Sequence, residues 1–500
     1  MATLEQAQRL VAELAMELRR RRPEMWRHDD YYRGEHRLMF ASDQFRKFFG
    51  DRYKKFSDNW TQVVADAPVE RLNVSGFRLA GEDSGYDTEL WSDWIANDCD
   101  EQSDLAFLEA VITGRAFALV WGDQDDNPII TFEHPAQCIV SYDMETRQRA
   151  AGLKLWSDDE YAYATLYLPD EVWKFQERQT LPYWVKHFEG PYYQPVWDLR
   201  DGVGQNPIPN PLGCVPLVEL QNRPRLIAEP MSDVRGVVAM QDAINLTWAY
   251  LFNATDFASM GQRVVTGAER PKQPILDSNG QPVGEKDVPL ERFVVDSIAW
   301  IEDEGAKPFQ WQAANLEAFT PIISLGVDHI AAQTRTPPHY LVGKMANISA
   351  DGMKAAETGL VMRSKEKTVS FGRGVREIGR LSALVRGNEA KAKAIAGGTV
   401  LWRDVESRSE AQLVDSLLKL KQVGFPFEFL CERYGLSPTE IARVVELRKQ
   451  EALTDPLALL VGDDVGMTAE VTPSGGAAGG TANGGVPASV ESGQDSVSSA

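Results

Sequence analysis

Cysteine is scarce in this chain: Cys99, Cys138, Cys214 and Cys431 are the only four in 500 residues, far apart and with no CxxC spacing. That excludes a disulfide framework or a thiolate zinc site and fits a reducing compartment. Base is scarce relative to acid, with 52 Lys and Arg against 73 Asp and Glu and a net charge of −21. A broad basic face for gripping nucleic acid is therefore excluded. No apolar run approaches the roughly 20 residues of a membrane span. Residues 1–22 carry acids and arginines where a signal peptide has its apolar core, so export is not expected.

The usual signatures of chemistry are missing too. There is no GxxxxGKS/T phosphate loop, no GxGxxG after a strand, no HExxH and no GxSxG. The six histidines are scattered, with no pair at i, i+4, so neither a metal nor a cofactor site is expected. Asp123, Asp125 and Asn127 have the D-x-D-x-N spacing of a calcium loop. Pro128 stands where that loop needs Gly, and His134 where it needs Glu, so a polar hairpin turn is the better reading. Carboxylate pairs such as Glu302/Glu304 and Asp158/Asp159, with thirteen tryptophans, raise the alternative of a carbohydrate-active enzyme. Acid–base work needs two carboxylates set across a cleft, which adjacency does not supply. Trp26, Trp60, Trp91, Trp94 and Trp121 sit within helix and strand patterns and read as core.

What is present reads as a mainly helical α+β chain, long enough for about three ordinary domains. Thr3 to Gln6 fits a capping box opening an N-terminal helix, with Leu4, Ala7, Leu10, Val11, Leu14 and Leu18 at helical spacing. Arg19 to Arg22 would be its solvated last turn, and Pro23 its stop. Charge is then partitioned: residues 82–145 hold sixteen acids and one base, Arg115. Within that stretch residues 89–96 and 103–113 read as short helices. Residues 117–121, 129–133, 138–142, 153–156, 161–168 and 172–176 are β-prone and separated by turn formers, as in an antiparallel meander, and residues 215–220 add a strand.

The second half is different. Residues 232–260 lack Gly and Pro apart from Gly236 and carry apolar residues on more than one stripe, which predicts a long helix with more than one neighbour. Residues 263–311 are turn-rich and β-prone, with Asn279-Gly280 as a hairpin signal. A second helix follows near residues 315–334, ended by Pro337-Pro338. A third spans 350–386, where Gly359, Gly372, Gly374 and Gly379 predict kinks. Residues 407–423 and 438–450 read as two more helices. Beyond residue 462 the composition predicts disorder.

The order of these pieces resembles a known family. Tyr31-Tyr32-Arg33-Gly34-Glu35-His36 follows the opening helix, and Asn59-Trp60 leads to Glu70-Arg71-Leu72, Val74 and Gly76-Phe77-Arg78. Trp91, Asn97-Asp98 and Thr113-Gly114-Arg115-Ala116-Phe117 come next. Val215-Pro216-Leu217-Val218-Glu219 precedes Asn222-Arg223-Pro224. Ser232-Asp233-Val234 opens the long helix, which contains Asp242-Ala243-Ile244-Asn245. Pro337-Pro338-His339-Tyr340-Leu341 precedes Ser349-Ala350-Asp351. Together they resemble the portal proteins of tailed double-stranded DNA bacteriophages, of the siphophage type found in phages of actinobacteria.

The resemblance implies an elongated, non-enzymatic ring subunit. Residues 1–231 would form a wing, 232–260 the first stem helix, 261–314 a clip and 315–335 the second stem helix. Residues 336–349 would be a tunnel loop, 350–403 a kinked helix and wing return, 404–453 a short helical crown and 454–500 a disordered tail. The stem would pack through Val237, Ile244, Trp248, Leu251, Ile322, Ile323 and Ile330. The loop would meet DNA through His339, Tyr340, Lys344 and Asn347. Implied partners are other copies in a ring of twelve, passing double-stranded DNA read without sequence preference, the terminase large subunit, a head–tail adaptor, and the major capsid and scaffold proteins. No cofactor and no membrane is implied. The ring would sit at the unique capsid vertex of the virion, assembled in the host cytoplasm. Another phage head protein is the alternative within the same class.

Overall fold

The computed structural model describes residues 2–36, 56–81, 86–178, 196–259, 263–266, 272–276, 280–287, 299–301, 309–310, 315–342, 350–406 and 410–454. The chain divides into two compact units, residues 1–443 and 444–500. Of the second, residues 444–454 are described and are helical.

Helix α1, Leu4–Arg33, opens as its sequence predicts: the Gln6 amide donates to Thr3 Oγ1, and the Thr3 amide donates to Gln6 Oε1. It does not stop at Pro23, which lies inside it. A mid-helix proline forfeits one hydrogen bond and crowds the preceding turn. Here the turns beyond it bury Met25, His28 and Tyr31, and that packing holds the helix together. The real stop is Gly34, left-handed at φ 70°, whose amide reaches the carbonyls of Asp30 and Tyr31. Arg19 to Arg22 therefore lies mid-helix. Arg20 and Arg21 pair with Glu17, and Arg22 Nε donates to the Ala136 carbonyl at 2.8 Å.

Next come α2 (Trp60–Val69), β1 (Val74–Arg78), α3 (Thr88–Ala96) and α4 (Cys99–Thr113), then β2 (Arg115–Gly122) and β3 (Pro128–Glu133). Strands β4 (Cys138–Tyr142), β5 (Arg149–Ser157), β6 (Tyr161–Tyr167), β7 (Glu171–Arg178), β8 (Asp198–Leu199), β9 (Ile208–Pro209) and β10 (Leu217–Gln221) follow. The expected single meander is two sheets. Strands β4 to β8 form one antiparallel path, with β9 also on β7, while β2 and β3 join β10 in a three-stranded sheet. Glycine at 152 permits their contact, because a Cβ there would lie 2.9 Å from Val215.

Two cores result. The apolar stripe of α1, Ala7, Val11, Leu14 and Leu18, packs on Leu153, Leu166 and Phe175 of the larger sheet. The larger core joins α3, α4, β2 and β10 to α8 (Ala350–Val385). Phe107 and Phe371 stack there at 5.0 Å, and Trp94 is buried beside Phe77.

Between these lie α5 (Val238–Ser259), the short strands β11 (Arg263–Thr266), β12 (Lys272–Leu276), β13 (Pro282–Asp287), β14 (Ala299–Ile301) and β15 (Phe309–Gln310), then α6 (Phe319–Thr334) and α7 (Pro338–Val342). Helix α5 starts six residues later than expected, after turns through Gly236. Strands β12 and β13 are an antiparallel pair, and Gly280 between them has φ 78°. Residue 279 lies outside the described residues, as does the Glu302/Glu304 pair.

Helix α8 is continuous past all four glycines. They are points of close approach rather than breaks: a Cβ at Gly359 would meet Arg335, at Gly372 Trp402, at Gly374 Leu220 and at Gly379 Phe77. After it come α9 (Glu389–Ala396), β16 (Thr399–Trp402), α10 (Glu410–Gln422), α11 (Phe427–Tyr434) and α12 (Pro438–Thr454). Helices α9 and α11 and strand β16 have no counterpart in the sequence reading. Strand β16 pairs antiparallel with β1, Phe77 opposite Val400 and Arg78 opposite Thr399. The C-terminal residues assigned to a disordered tail lie outside the described residues from 455 onward.

The acidic stretch meets cations just after α8 and within α9. Arg386 and Ser382 Oγ bind the buried carboxylate of Asp93, and Lys391 pairs with Asp87 and Glu89. Asp98, Asp100, Glu101, Asp125, Asp126 and Glu145 face solvent. The turn at Asp123 is a hairpin link between β2 and β3, with Asp123 Oδ1 accepting from the amides of Asp125 and Asn127, both at 2.8 Å.

Gly398 joins α9 to β16, and a Cβ there would fall on the Arg78 carbonyl oxygen. Gly398→Ala should cost about 1–3 kcal/mol of stability by overpacking against backbone. Urea denaturation checks this; an unchanged midpoint would show that the α9–β16 turn gives way freely.

Candidate functional site

Helices α5 and α6 pack antiparallel. A Cβ on Gly326 would lie 2.9 Å from Ile244, while Gly236, earlier in the chain, faces Gln333, later in it. The α6 stripe of Ile323, Gly326, Val327, Ile330, Ala331 and Thr334 is buried at i, i+3, i+4, i+7, i+8 and i+11. It forms one cluster with Val237, Ile244, Val64 and Leu341, and Trp248 and Leu251 pack half-buried against it. Six of the seven expected packing residues are thus brought together. Ile322 is not: it is 57% exposed, with Leu325 at 55%, because one helical step of 100° carries it off the stripe.

A polar seam runs beside this cluster. Asp58 Oδ2 accepts from the indoles of Trp60 (3.1 Å) and Trp248 (2.7 Å). The Asp58 amide donates to Asn245 Oδ1, and the Trp60 amide to Gln241 Oε1. Tyr31 donates to both oxygens of Asp242, at 2.8 and 2.9 Å, and stacks on His36. Burial raises the Asp242 carboxyl above its ordinary value, and it lowers the His36 imidazole.

The centre of the unit is ionic. Asp233, in the turn before α5, is fully buried. Its Oδ2 meets Arg363 Nη2 at 2.5 Å and Lys367 Nζ at 2.7 Å, and its Oδ1 meets Arg223 Nε at 2.9 Å and Asn222 Nδ2 at 3.0 Å. Arg363 also donates to the carbonyls of Thr334 (3.1 Å) and Val64 (2.9 Å). Lys367 donates to Asn222 Oδ1 at 2.6 Å, and the Asp233 amide to the Val111 carbonyl at 3.0 Å. The loop after β10 and helix α8 therefore meet at one carboxylate, and Arg363 carries the link on to α2 and α6. Burial alone would raise that carboxyl, but Lys367, Arg363 and Arg223 outweigh it and hold the group well below the usual range. Burial pushes the Lys367 ammonium down to about 8 against the pull of Asp233.

The expected DNA-facing residues divide. Lys344 and Asn347 lie outside the described residues. His339 and Tyr340 sit on α7, a short helix where a loop was expected. The Tyr340 hydroxyl accepts from Arg71 Nη2 at 2.9 Å, and Arg71 also donates to the Val405 carbonyl at 3.0 Å and pairs with Glu357 at 3.4 Å. His339 Nε2 lies 3.8 Å from the other oxygen of Glu357. Tyr340 is thus part of a cross-brace between α2, α7, α8 and residue 405.

Sequence reasoning quoted Arg71, Asn222, Arg223 and Asp233 as motif residues without assigning them a role, and it missed Arg363 and Lys367. A signal for those two existed: cations at i, i+4 on the stripe of α8 that carries Leu360 and Phe371. No group of His, Cys, Asp and Glu able to hold a metal occurs among the described residues. Asp158 closes a turn, accepting from the amides of Glu160 and Tyr161 and from the Tyr163 hydroxyl.

The family model and the sequence relatives agree with each other. A family model described as "Phage portal protein, SPP1 Gp6-like" matches residues 13–426. The portal protein of Mycobacterium phage D29 is 28% identical over 406 residues, covering 77% of this chain and 74% of that one. That of Mycobacterium phage L5 is 27% identical over 407 residues with the same coverage. Among solved structures, a chain of the virion of a native gene transfer agent particle aligns over 81% of this chain and 96% of its own, at 12% identity and a TM-score of 0.32.

Asp233→Ala leaves Arg363 and Lys367 buried without a counter-charge and should cost about 3–5 kcal/mol, read by chemical denaturation. Acid offers a second check. The folded carboxyl lies below its ordinary 3.8, so its stabilising contribution is present above that pH and is lost as pH falls below it. Asp233→Asn should therefore show a shallower loss of stability below pH 3.8 than the wild type; equal slopes would exclude an ionised Asp233.

Proposed function

We propose a mechanical role from one premise: the chain belongs to the SPP1 Gp6-like phage portal protein family, whose model spans residues 13–426. It is a bacteriophage portal protein, and the family implies a homo-oligomeric capsid ring. No helix among the described residues is long and apolar enough to cross a membrane.

The finer reading is that twelve copies form the channel at the unique capsid vertex, through which DNA is packaged, held and ejected. In that reading the ring also docks the terminase large subunit and a head–tail adaptor, and contacts the major capsid and scaffold proteins. The observation that carries it is the antiparallel α5–α6 pair with β11 to β15 inserted between its members. This succession suits stem helices separated by a clip. Residues 1–231 serve as wing, 350–403 as its return, and 404–453 as crown.

Physics supports a conduit rather than a clamp. Each phosphate neutralised by a protein cation adds salt-dependent affinity, and affinity along a channel is drag. Twelve copies of a chain at −21 carry roughly −250 charges in all. The largest cluster of acids belongs to the wing, where Asp87, Glu89 and Asp93 pair with Lys391 and Arg386, so only part of that field reaches a channel. The DNA-facing contacts are sparse donors of the loop after α7, Lys344 and Asn347 first, with His339 beside them. Tyr340 acts through the Arg71 brace and sets where that loop starts.

Purified protein should form rings of about 670 kDa for twelve copies of 55.7 kDa, with an axial hole in negative stain. Monomers at every concentration would count decisively against the reading. Lys344→Glu combined with deletion of Asn347 should leave rings intact while lowering packaged DNA per particle. Full particles from that variant would remove the special role of those two residues.

A further inference from the structure

The loop between β10 and α5 has features that neither the family reading nor the expected stem explains. Its neck is closed by two hydrogen bonds: Asn222 Nδ2 donates to the Met231 carbonyl at 2.8 Å, and the Met231 amide to the Asn222 carbonyl at 3.1 Å. The Asn222 amide in turn donates to the Gly114 carbonyl at 2.9 Å. Gly114, at φ 102°, makes room for the loop, since a Cβ there would lie 3.0 Å from the Pro230 carbonyl oxygen. Both limbs are tied by charge. Arg223 binds the buried Asp233, and Glu229 pairs with Arg115 and with Arg21 at 3.0 Å.

At the end of this anchored neck, between Pro224 and Pro230, stand Leu226 and Ile227. Leu226 is 92% exposed and Ile227 wholly so. Exposed aliphatics scattered singly need no explanation, but two adjacent ones on a tethered projection form a plug. Prolines and ion pairs limit the order such a loop still has to lose on binding, which favours it as an anchor. Arg225 beside them is exposed and has no ion pair among the described residues.

We propose that Leu226 and Ile227 are an intersubunit plug, inserted into an apolar recess of a second copy of this chain, with Arg225 meeting a carboxylate at the rim. The inference rests on the homo-oligomeric reading. A cyclic ring joins two different patches of each subunit, so a projection on one side needs a recess on the other. Charge complementarity also favours another copy, because this chain exposes acids such as Asp98, Asp100 and Glu101 within a stretch of sixteen acids and one base. The tie to Asp233 places the plug on the unit's most constrained point, so its position is fixed relative to α5 and α8.

The test uses the full-length protein and follows ring formation against concentration by sedimentation or mass photometry. L226A/I227A should raise the concentration of half-assembly about tenfold or more, with unchanged far-ultraviolet circular dichroism. The repacked variant L226I/I227L should recover most of the assembly. R225E should weaken assembly less, and that loss should shrink at high salt. Wild-type assembly by L226A/I227A overturns the plug, and so does a variant that forms normal rings but fails to enter particles, since the loop would then serve a different protein. Failure of the unmutated chain to form any ring strikes the homo-oligomeric reading itself and removes the plug with it.

Discussion

One buried carboxylate holds the main unit in register. Asp233 sits at the entry to α5 and is reached by Arg363 and Lys367 from α8 and by Arg223 from the loop after β10. Arg363 also donates to the Val64 carbonyl in the middle of α2 and to the Thr334 carbonyl at the end of α6. Hydrophobic contact alone tolerates sliding, whereas charged donors aimed at fixed oxygens do not. Three cations around one anion leave an excess of buried positive charge, which is costly unless every donor is satisfied. The neighbouring carbonyls and the Asn222 side chain supply that satisfaction. The network therefore specifies the arrangement of the helices more than it adds to stability.

Charge distribution follows the same logic on a larger scale. The segment richest in acid meets cations at residues 386 and 391, and the pairs Asp93–Arg386 and Asp87–Lys391 are intramolecular. Only the acids on turns and helix ends, such as Asp125, Asp126 and Glu145, remain to shape the field outside. The acid count of this segment taken alone therefore overstates its local field, whereas the net −21 already includes both partners of every pair.

Much of this was legible before the structure. The capping box at Thr3, the strands from residue 115 to 178 and the α5–α6 pair all announce themselves by local pattern, and the ordered motifs pointed to the family that the comparisons bear out. The failures have physical causes. Pro23 looked like a stop because local rules cannot see that Met25, His28 and Tyr31 will be buried beyond it. Ile322 looked like core because composition does not distinguish adjacent steps of a helix. Strand β16 is four residues long and exists by pairing with β1, which no local window contains. Helix α11 was missed despite Pro426 before it and a left-handed Gly435 after it, signals that were present but unread. The α8 glycines also have a second reading that the sequence did not offer, as places where Arg335, Trp402, Leu220 and Phe77 come close.

The pairing of β1 with β16 also bears on how the protein is made. More than three hundred residues separate the two strands, and at a synthesis rate of about 5–20 residues per second the first waits roughly 16 to 64 seconds for the second. During that interval Phe77 lacks the cover of Ile395 and Val400 and Phe107 lacks that of Phe371, all within the same buried core. The nascent chain thus carries an unfinished apolar surface through most of its translation, a period in which crowded neighbours on one messenger are its nearest competitors for contact.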